Sequence, residues 1–327
     1  MGLKLIWNDM LKERAEALVT PASRNAQVGI GLDKIVHRAG NTAQTTTKGE
    51  IAMETDRAKG MLWGLIVGDA FGSPIQFTHK DSHKHITEME PCPVFGLPPG
   101  YWTDDSSMAM CIMDSFVRKG GYDLQDIADT FVKWYSEGYL SSMEGRSFDV
   151  GFATSSAMHG IREGRLRNGH EDSQGNGSIM RFAPAWLIAR KLGNPAILHE
   201  ISDLTHDSRR VREVVDRFAL ILGEHMEGRR TAVKSEYSSR EECNNSGWAV
   251  STLESALWAF QSAKSFEEGM IAAVDLGGDA DTIGAVYGQI AGAYYGYDAI
   301  PGRWVKAIKT WRKVDGLVEA FLGVLAG

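Results

Sequence analysis

Residues 276–296 read LGGDADTIGAVYGQIAGAYYG. Gly284, Gly288 and Gly292 recur every four residues, the interval at which side chains stack on one face of a helix. Upstream, Gly60, Gly64, Gly68 and Gly72 keep the same interval. Each series makes a stripe without side chains along which another backbone can approach closely. Glycine inside a helix costs about 1 kcal/mol against alanine, so its repetition argues that close approach is required. The two stripes predict two central helices that bring the regions of Asp69 and Asp281 together.

Working outward, helical spacing dominates from Asp56 on. Leu124, Ile127, Ala128 and Phe131 share one face, as do Val211, Val214, Val215, Phe218 and Leu222, and also Leu253, Leu257 and Phe260. Alternating strand patterns with hairpin turns are scarce. An all-α fold follows, with residues 51–327 as a single helical domain. Met1 to about Leu18 reads as an amphipathic helix and Thr20–Thr47 as a polar run. Residues 1–50 are therefore expected to form a partly disordered extension.

The chain has 327 residues, 43% of them hydrophobic, and a formal net charge of −7. That balance argues against nonspecific nucleic-acid binding, which needs a basic face. An anionic ligand must then be held by metals, backbone amides or a few local cations. Cys92, Cys111 and Cys243 form no metal or redox spacing, which suits a reducing compartment. No run has the length and apolarity of a membrane span or a signal core. An intracellular, cytoplasmic or nuclear protein and a monomer are the expectation.

The chemistry concentrates at two helix starts. Asp279, Asp281 and Thr282 follow the Gly277-Gly278 turn and precede the apolar stretch from Ile283. Thr103, Asp104 and Asp105 follow a Pro/Gly-rich loop and precede Met108–Val117. Asp and Thr also cap helices, so either cluster alone reads equally well as a cap. Adjacent carboxylates repel, however, unless a cation or several amides neutralise them. Two clusters of hydroxyl and carboxylate oxygens match a shared site for two hard cations about 3.5–4 Å apart. The oxygen-rich set favours Mg2+ or Mn2+ over zinc.

With these motifs in view, the chain resembles the ADP-ribosylglycohydrolase family. The likeness rests on TDDSSMAM (residues 103–110) and the quoted 276–296 segment. GLIVGDAFGSPIQF (64–77), GNGSIMRFAP (175–184), Thr205-His206 and Ile300–Trp304 agree with it. It runs from about Asp56 to the C-terminus and implies that family's orthogonal multi-helix bundle. It further implies two divalent cations held by Thr103, Asp104, Asp105, Asp279, Asp281 and Thr282. Gly175, Asn176, Gly177, Ser178, Ile179 and Met180 would cradle the diphosphate of ADP-ribose at a helix start, with His206 as a further ligand contact. The implied reaction is hydrolysis at the anomeric carbon of the distal ribose, with Asp104, Asp105 and Asp281 in catalytic roles.

Two positions depart from the family pattern. Gln76 stands where a glutamate is usual, and we include it among the catalytic positions although an amide cannot exchange a proton. Asp275 stands where an asparagine is usual and adds charge beside the acidic loop. The resemblance implies a substrate carrying ADP-ribose, either a modified protein or a small derivative such as ADP-ribose 1″-phosphate. Phosphate is a good leaving group and needs less help from a glutamate. A non-enzymatic, nucleotide-binding or crystallin-like member is the remaining alternative.

Overall fold

The computed structural model describes residues 48–327; Met1–Leu18 and Thr20–Thr47 lie outside the described residues. Among the described residues, twelve α-helices and three short 3-10 turns account for the regular structure, and no strand is present beyond two isolated bridges. The helices are α1 (Lys48–Gly72), α2 (Asp104–Lys119), α3 (Leu124–Glu137), α4 (Phe152–Arg162), α5 (Phe182–Leu192) and α6 (Ala196–His206). They continue as α7 (Arg209–Met226), α8 (Ala249–Ser262), α9 (Phe266–Val274), α10 (Ala280–Tyr295), α11 (Gly302–Ala307) and α12 (Trp311–Ala326). No described helix is long and apolar enough to cross a membrane.

The predicted glycine contact is the axis of the fold. Helices α1 and α10 run antiparallel, pairing Gly60 with Gly292, Gly64 with Gly288, Gly68 with Gly284 and Gly72 with Ala280. A β-carbon at Gly64 would lie 2.1 Å from the Gly288 carbonyl oxygen, and one at Gly68 would lie 2.0 Å from that of Gly284. No side chain fits either gap. Around this pair the predicted apolar faces turn inward: Ile127, Ala128 and Phe131 on α3, Val211, Val214, Val215, Phe218 and Leu222 on α7, and Leu253, Leu257 and Phe260 on α8 are buried, and Leu124 is half-buried against them.

Gln289 interrupts the apolar face of α10 and is fully buried. Its amide nitrogen donates to the carbonyls of Ile179 (3.2 Å), Met180 (3.0 Å) and Ala285 (3.2 Å), while its oxygen accepts from the Ala183 amide (2.7 Å). A buried amide must find such partners. In doing so it ties the 175–183 segment to the central helix pair.

A second buried polar group carries a pH dependence. His225 of α7 is fully buried among Phe260 and Tyr294, with its Nδ1 3.0 Å from the Ile290 carbonyl. Burial pushes the imidazole down to about 4, against the pull of that hydrogen bond; Arg230 and Arg57 add a smaller push. The folded state therefore sheds a proton that the unfolded chain keeps below about pH 6.5. This stability is fully present above pH 6.5 and is lost as pH falls toward 4. Between pH 7 and pH 5 we expect His225 to account for about 2 kcal/mol of lost stability. Urea unfolding of wild type and His225→Gln at both pH values isolates it. Equal losses in the two proteins would refute the assignment.

Candidate functional site

The glycine contact brings the C-terminal end of α1 beside the N-terminus of α10, and Asp69 uses that position to hold a third element. Its carboxylate accepts from the Thr103 amide (2.9 and 3.1 Å), the Thr103 hydroxyl (2.9 Å), the Ser106 amide (2.9 Å) and the Ser106 hydroxyl (2.5 Å). Asp69 thus caps α2 from outside the helix, taking the amide of the N-cap residue Thr103 and that of Ser106 in the first turn. Its role is positioning: both oxygens are spent on α2.

The two acidic clusters meet at these helix starts. Thr103 Oγ1 lies 3.3 Å from Asp105 Oδ2 and 3.4 Å from Asp281 Oδ2, and Thr282 Oγ1 lies 3.5 Å from Asp105 Oδ2. Helix N-termini offer carboxylates the positive end of a dipole, but the crowding exceeds what a dipole offsets. Burial pushes Asp104, Asp105 and Asp281 well above the usual carboxylate range. Neighbouring charges add to it, with Asp149 acting on Asp104 and Asp281, and Asp69 on Asp105. Burial also raises Asp279, although Asn176 and Thr282 hydrogen-bond to it.

The acidic loop is held rigidly. Gly277 and Gly278 both adopt left-handed backbone (φ 65° and 62°), and a β-carbon at Gly278 would meet the Asn245 carbonyl oxygen at 2.2 Å. The Gly278 amide donates to the Thr78 carbonyl (2.8 Å), and the Phe77 amide donates to the Gly278 carbonyl (2.6 Å). Asp275 turns away from this loop. It pairs with Arg240 (3.1 Å) and His85 (3.1 Å), so the extra charge relative to asparagine is compensated.

A cavity of about 1040 Å³ opens beside the carboxylates. Asp104, Asp279, Asp281, Thr282, Gly175, Asn176, Gly177, Met180 and His206 line it. Thr103 and Asp105 lie buried beneath. Ser178 and Ile179 do not line it: the Ser178 hydroxyl meets that of Ser202 (2.6 Å) and Ile179 is in the core. The Ile179 and Met180 amides both donate to the Asn176 carbonyl (2.9 and 3.1 Å). These two amides are spent inside the turn, so an anion cradle must be built without them. Asn176 itself bridges Asp279 and the Thr252 hydroxyl.

Gln76 is buried outside the cavity wall, and neither amide atom has a partner within hydrogen-bond geometry. It faces Asp149, a residue neither acidic motif marks. Asp149 lines the cavity and holds a left-handed backbone (φ 58°), which aspartate tolerates better than most residues. Burial lifts its carboxyl to about 6, against a pull from Gln76. At the mouth, Phe77 (61% exposed) and Phe152 (88%) present bare rings. Phe77 does so at φ 62°, a costly conformation for a bulky residue. Phe148 and Trp102 are buried in the interior, away from the cavity.

The donor set fits hard divalent cations. Asp105 Oδ1, Asp281 Oδ1 and Asp149 Oδ2 are buried without a partner, and a buried anionic oxygen requires a positive counterpart. Among the described residues no trio of Asp, Glu, His or Cys is grouped closely enough to enclose an ion by itself. The Thr103 and Thr282 hydroxyls, which stand between the carboxylates, complete the oxygen set.

An all-helical frame that stations paired carboxylates at two helix starts, beside a cavity of about 1040 Å³, defines a class of oxygen-rich ligand sites. The family model described as ADP-ribosylglycohydrolase matches residues 51–327, and the chain belongs to that family. It is 35% identical over 288 residues to the ADP-ribosylarginine hydrolase Tri1 of Pseudomonas putida (strain GB-1), covering 81% of this chain and 77% of that protein. It is 32% identical to the ADP-ribosyl-[dinitrogen reductase] glycohydrolase of Rhodospirillum rubrum, covering 83% and 97% of the two chains. A solved structure titled ADP-ribosylglycohydrolase-related protein complex superposes with a TM-score of 0.72 at 33% identity. That match covers 84% of this chain and 99% of the other.

Proposed function

We propose that residues 51–327 form the catalytic domain of a divalent-metal-dependent ADP-ribosyl hydrolase. It would cleave the bond at the anomeric carbon of the distal ribose on modified protein side chains and release ADP-ribose. The observation that carries this reading is the set of buried, unpartnered oxygens on Asp105, Asp281 and Asp149 at the floor of the cavity. Relatives acting on ADP-ribosylarginine and on ADP-ribosylated dinitrogen reductase support it.

Thr103, Asp104, Asp105, Asp279, Asp281 and Thr282 would hold the ions, Mg2+ or Mn2+, which supply Lewis-acid polarisation and charge neutralisation when bound. The carboxylates facing the cavity, Asp104, Asp149 and Asp281, stabilise the oxocarbenium character that develops at the anomeric carbon. Asp69 keeps Thr103 and the start of α2 in place. Gly175 and Gly177 let the ligand approach the backbone, and His206 meets it from the side. Gln76 contributes no proton and stands beside Asp149. Its neutrality favours, as a second reading, a substrate whose leaving group needs no proton, such as ADP-ribose 1″-phosphate.

A substrate panel decides between these. Release of ADP-ribose from ADP-ribosylarginine protein in Mg2+ or Mn2+, abolished by EDTA, supports the first reading. Turnover of the small derivative alone supports the second, and no metal-dependent release from any substrate refutes both.

The exposed ring of Phe152 is placed to carry a base. Stacking of a base on an aromatic side chain is worth about 1–3 kcal/mol by alanine substitution. Phe152→Ala should therefore weaken ADP-ribose binding by about fivefold or more, with the melting temperature unchanged. Calorimetry that finds equal affinity would leave the ring without this role.

A further inference from the structure

Arg181 precedes α5 and is fully buried, yet no carboxylate lies within ion-pair distance of it among the described residues. Burial lowers its guanidinium to about 10, which leaves it charged at neutral pH. Asp104 and Asp105 attract the charge from beyond ion-pair distance, and its direct contacts are soft and neutral: the Phe131 ring (4.9 Å), Met108 Sδ (3.6 Å), the Gly177 carbonyl and Thr205 Oγ1 (2.6 Å). So costly a burial calls for a reason beyond packing.

The last two partners supply one. A guanidinium only donates, so Arg181 occupies a lone pair of Thr205 Oγ1. The same oxygen lies 2.7 Å from His206 Nδ1. The structure offers the Thr205 proton no other acceptor among the described residues, so the hydroxyl donates to Nδ1. A neutral imidazole that accepts at Nδ1 carries its proton on Nε2. That nitrogen faces the glycine turn: it lies 3.4 Å from where a β-carbon of Gly175 would stand and 3.2 Å from that of Gly177. Both glycines line the cavity with His206. Arg181 also grips the Gly177 carbonyl, so one guanidinium sets both the turn and the ring beside it.

We propose that Arg181 and Thr205 are positioning residues that fix His206 as its Nε2–H tautomer, a permanent hydrogen-bond donor to a phosphate or hydroxyl oxygen of the bound ligand. The ligand half of this statement rests on the ADP-ribose reading above. His206 is then a recognition group and takes no part in proton transfer. Burial, with Arg181 adding repulsion, holds it down to about 3 and so uncharged through the neutral range.

Nitrogen-15 NMR of the full chain tests the tautomer, with His206→Gln identifying the His206 signals. Wild type and Thr205→Ser should show Nε2–H and a hydrogen-bonded Nδ1 from pH 6 to 8. Thr205→Val, which keeps the shape and removes the hydroxyl, should shift the Nδ1 signal to that of an unbonded nitrogen. Calorimetry with ADP-ribose and Mg2+ should show about a tenfold loss for Thr205→Val, from lost orientation of one donor, and recovery in Thr205→Ser. Arg181→Met should move the same signal; if it fails to fold, the Thr205 pair still decides. An Nδ1–H tautomer in wild type, or equal affinities for the valine and serine variants, overturns the proposal. No binding of ADP-ribose by wild type would sink the functional reading instead, and the NMR would still judge the tautomer.

Discussion

Asp281→Asn and Asp105→Asn are each expected to lower turnover by roughly 10³-fold, about 4 kcal/mol of lost metal-assisted stabilisation, while the circular dichroism of the fold stays the same. Each change exchanges one carboxylate oxygen for an amide nitrogen at nearly constant volume, beside an Oδ1 that has no protein partner. Metal affinity should fall in parallel, measured by calorimetry with Mg2+ or Mn2+. The same substitutions should act on stability in the opposite sense. Asp105 and Asp281 sit among Asp69, Asp104, Asp149 and Asp279, and removing one charge relieves repulsion in metal-free protein. Melting in EDTA should therefore be unchanged or higher than for wild type. Full turnover with undiminished metal binding would dispose of the assignment. A large drop in melting temperature would mean these side chains are structural.

Gly288→Ala should destabilise the protein by about 3 kcal/mol or more, at the upper end of overpacking penalties. The new methyl group would stand 1.9 Å from the Gly64 carbonyl oxygen, and a backbone atom cannot rotate aside as a side chain can. Gly316→Ala in α12 is the control, because a β-carbon there meets nothing within 4 Å. It should be neutral or stabilising by up to about 1 kcal/mol from helix propensity alone. Chemical denaturation of both variants makes the comparison. A Gly288→Ala protein as stable as Gly316→Ala would show that α1 and α10 do not touch through their glycines.

What was legible in the sequence was local and repetitive. The four-residue glycine interval named the central helix pair, because a stripe without side chains has few purposes inside a helix other than close approach. The Thr-Asp-Asp and Asp-Ala-Asp-Thr runs named two helix starts, since oxygen donors gather there for reasons of dipole and capping alike. What was not legible depends on partners far away in the chain. Asp149 enters the cavity from the loop before α4 and belongs to no acidic run. The charge of Asp275 looked like an addition to the site because Arg240, which neutralises it, and His85, which lies within hydrogen-bond distance of it, come from other segments. The 175–180 turn read as a row of free amides, whereas those of Ile179 and Met180 close on Asn176. Gln76 was legible as a departure from the family, but its burial against Asp149 followed only from the packed chain.

The glycine stripes also resemble a ratchet. Teeth spaced every four residues mesh again after a slip of one helical turn, about 5.4 Å along the axis; Gly64 would then face Gly284 as comfortably as it faces Gly288. Such a slip would carry Asp281 past Thr103 and scatter the oxygens. The stripe alone therefore names a family of settings, and a key must choose one, as a buried polar residue does in coiled coils. Gln289 has the shape of that key: its amide meets three backbone groups of the 179–183 segment in one setting only. The arrangement of oxygens at the cavity floor thus depends on a neutral amide that is not itself in the cavity lining.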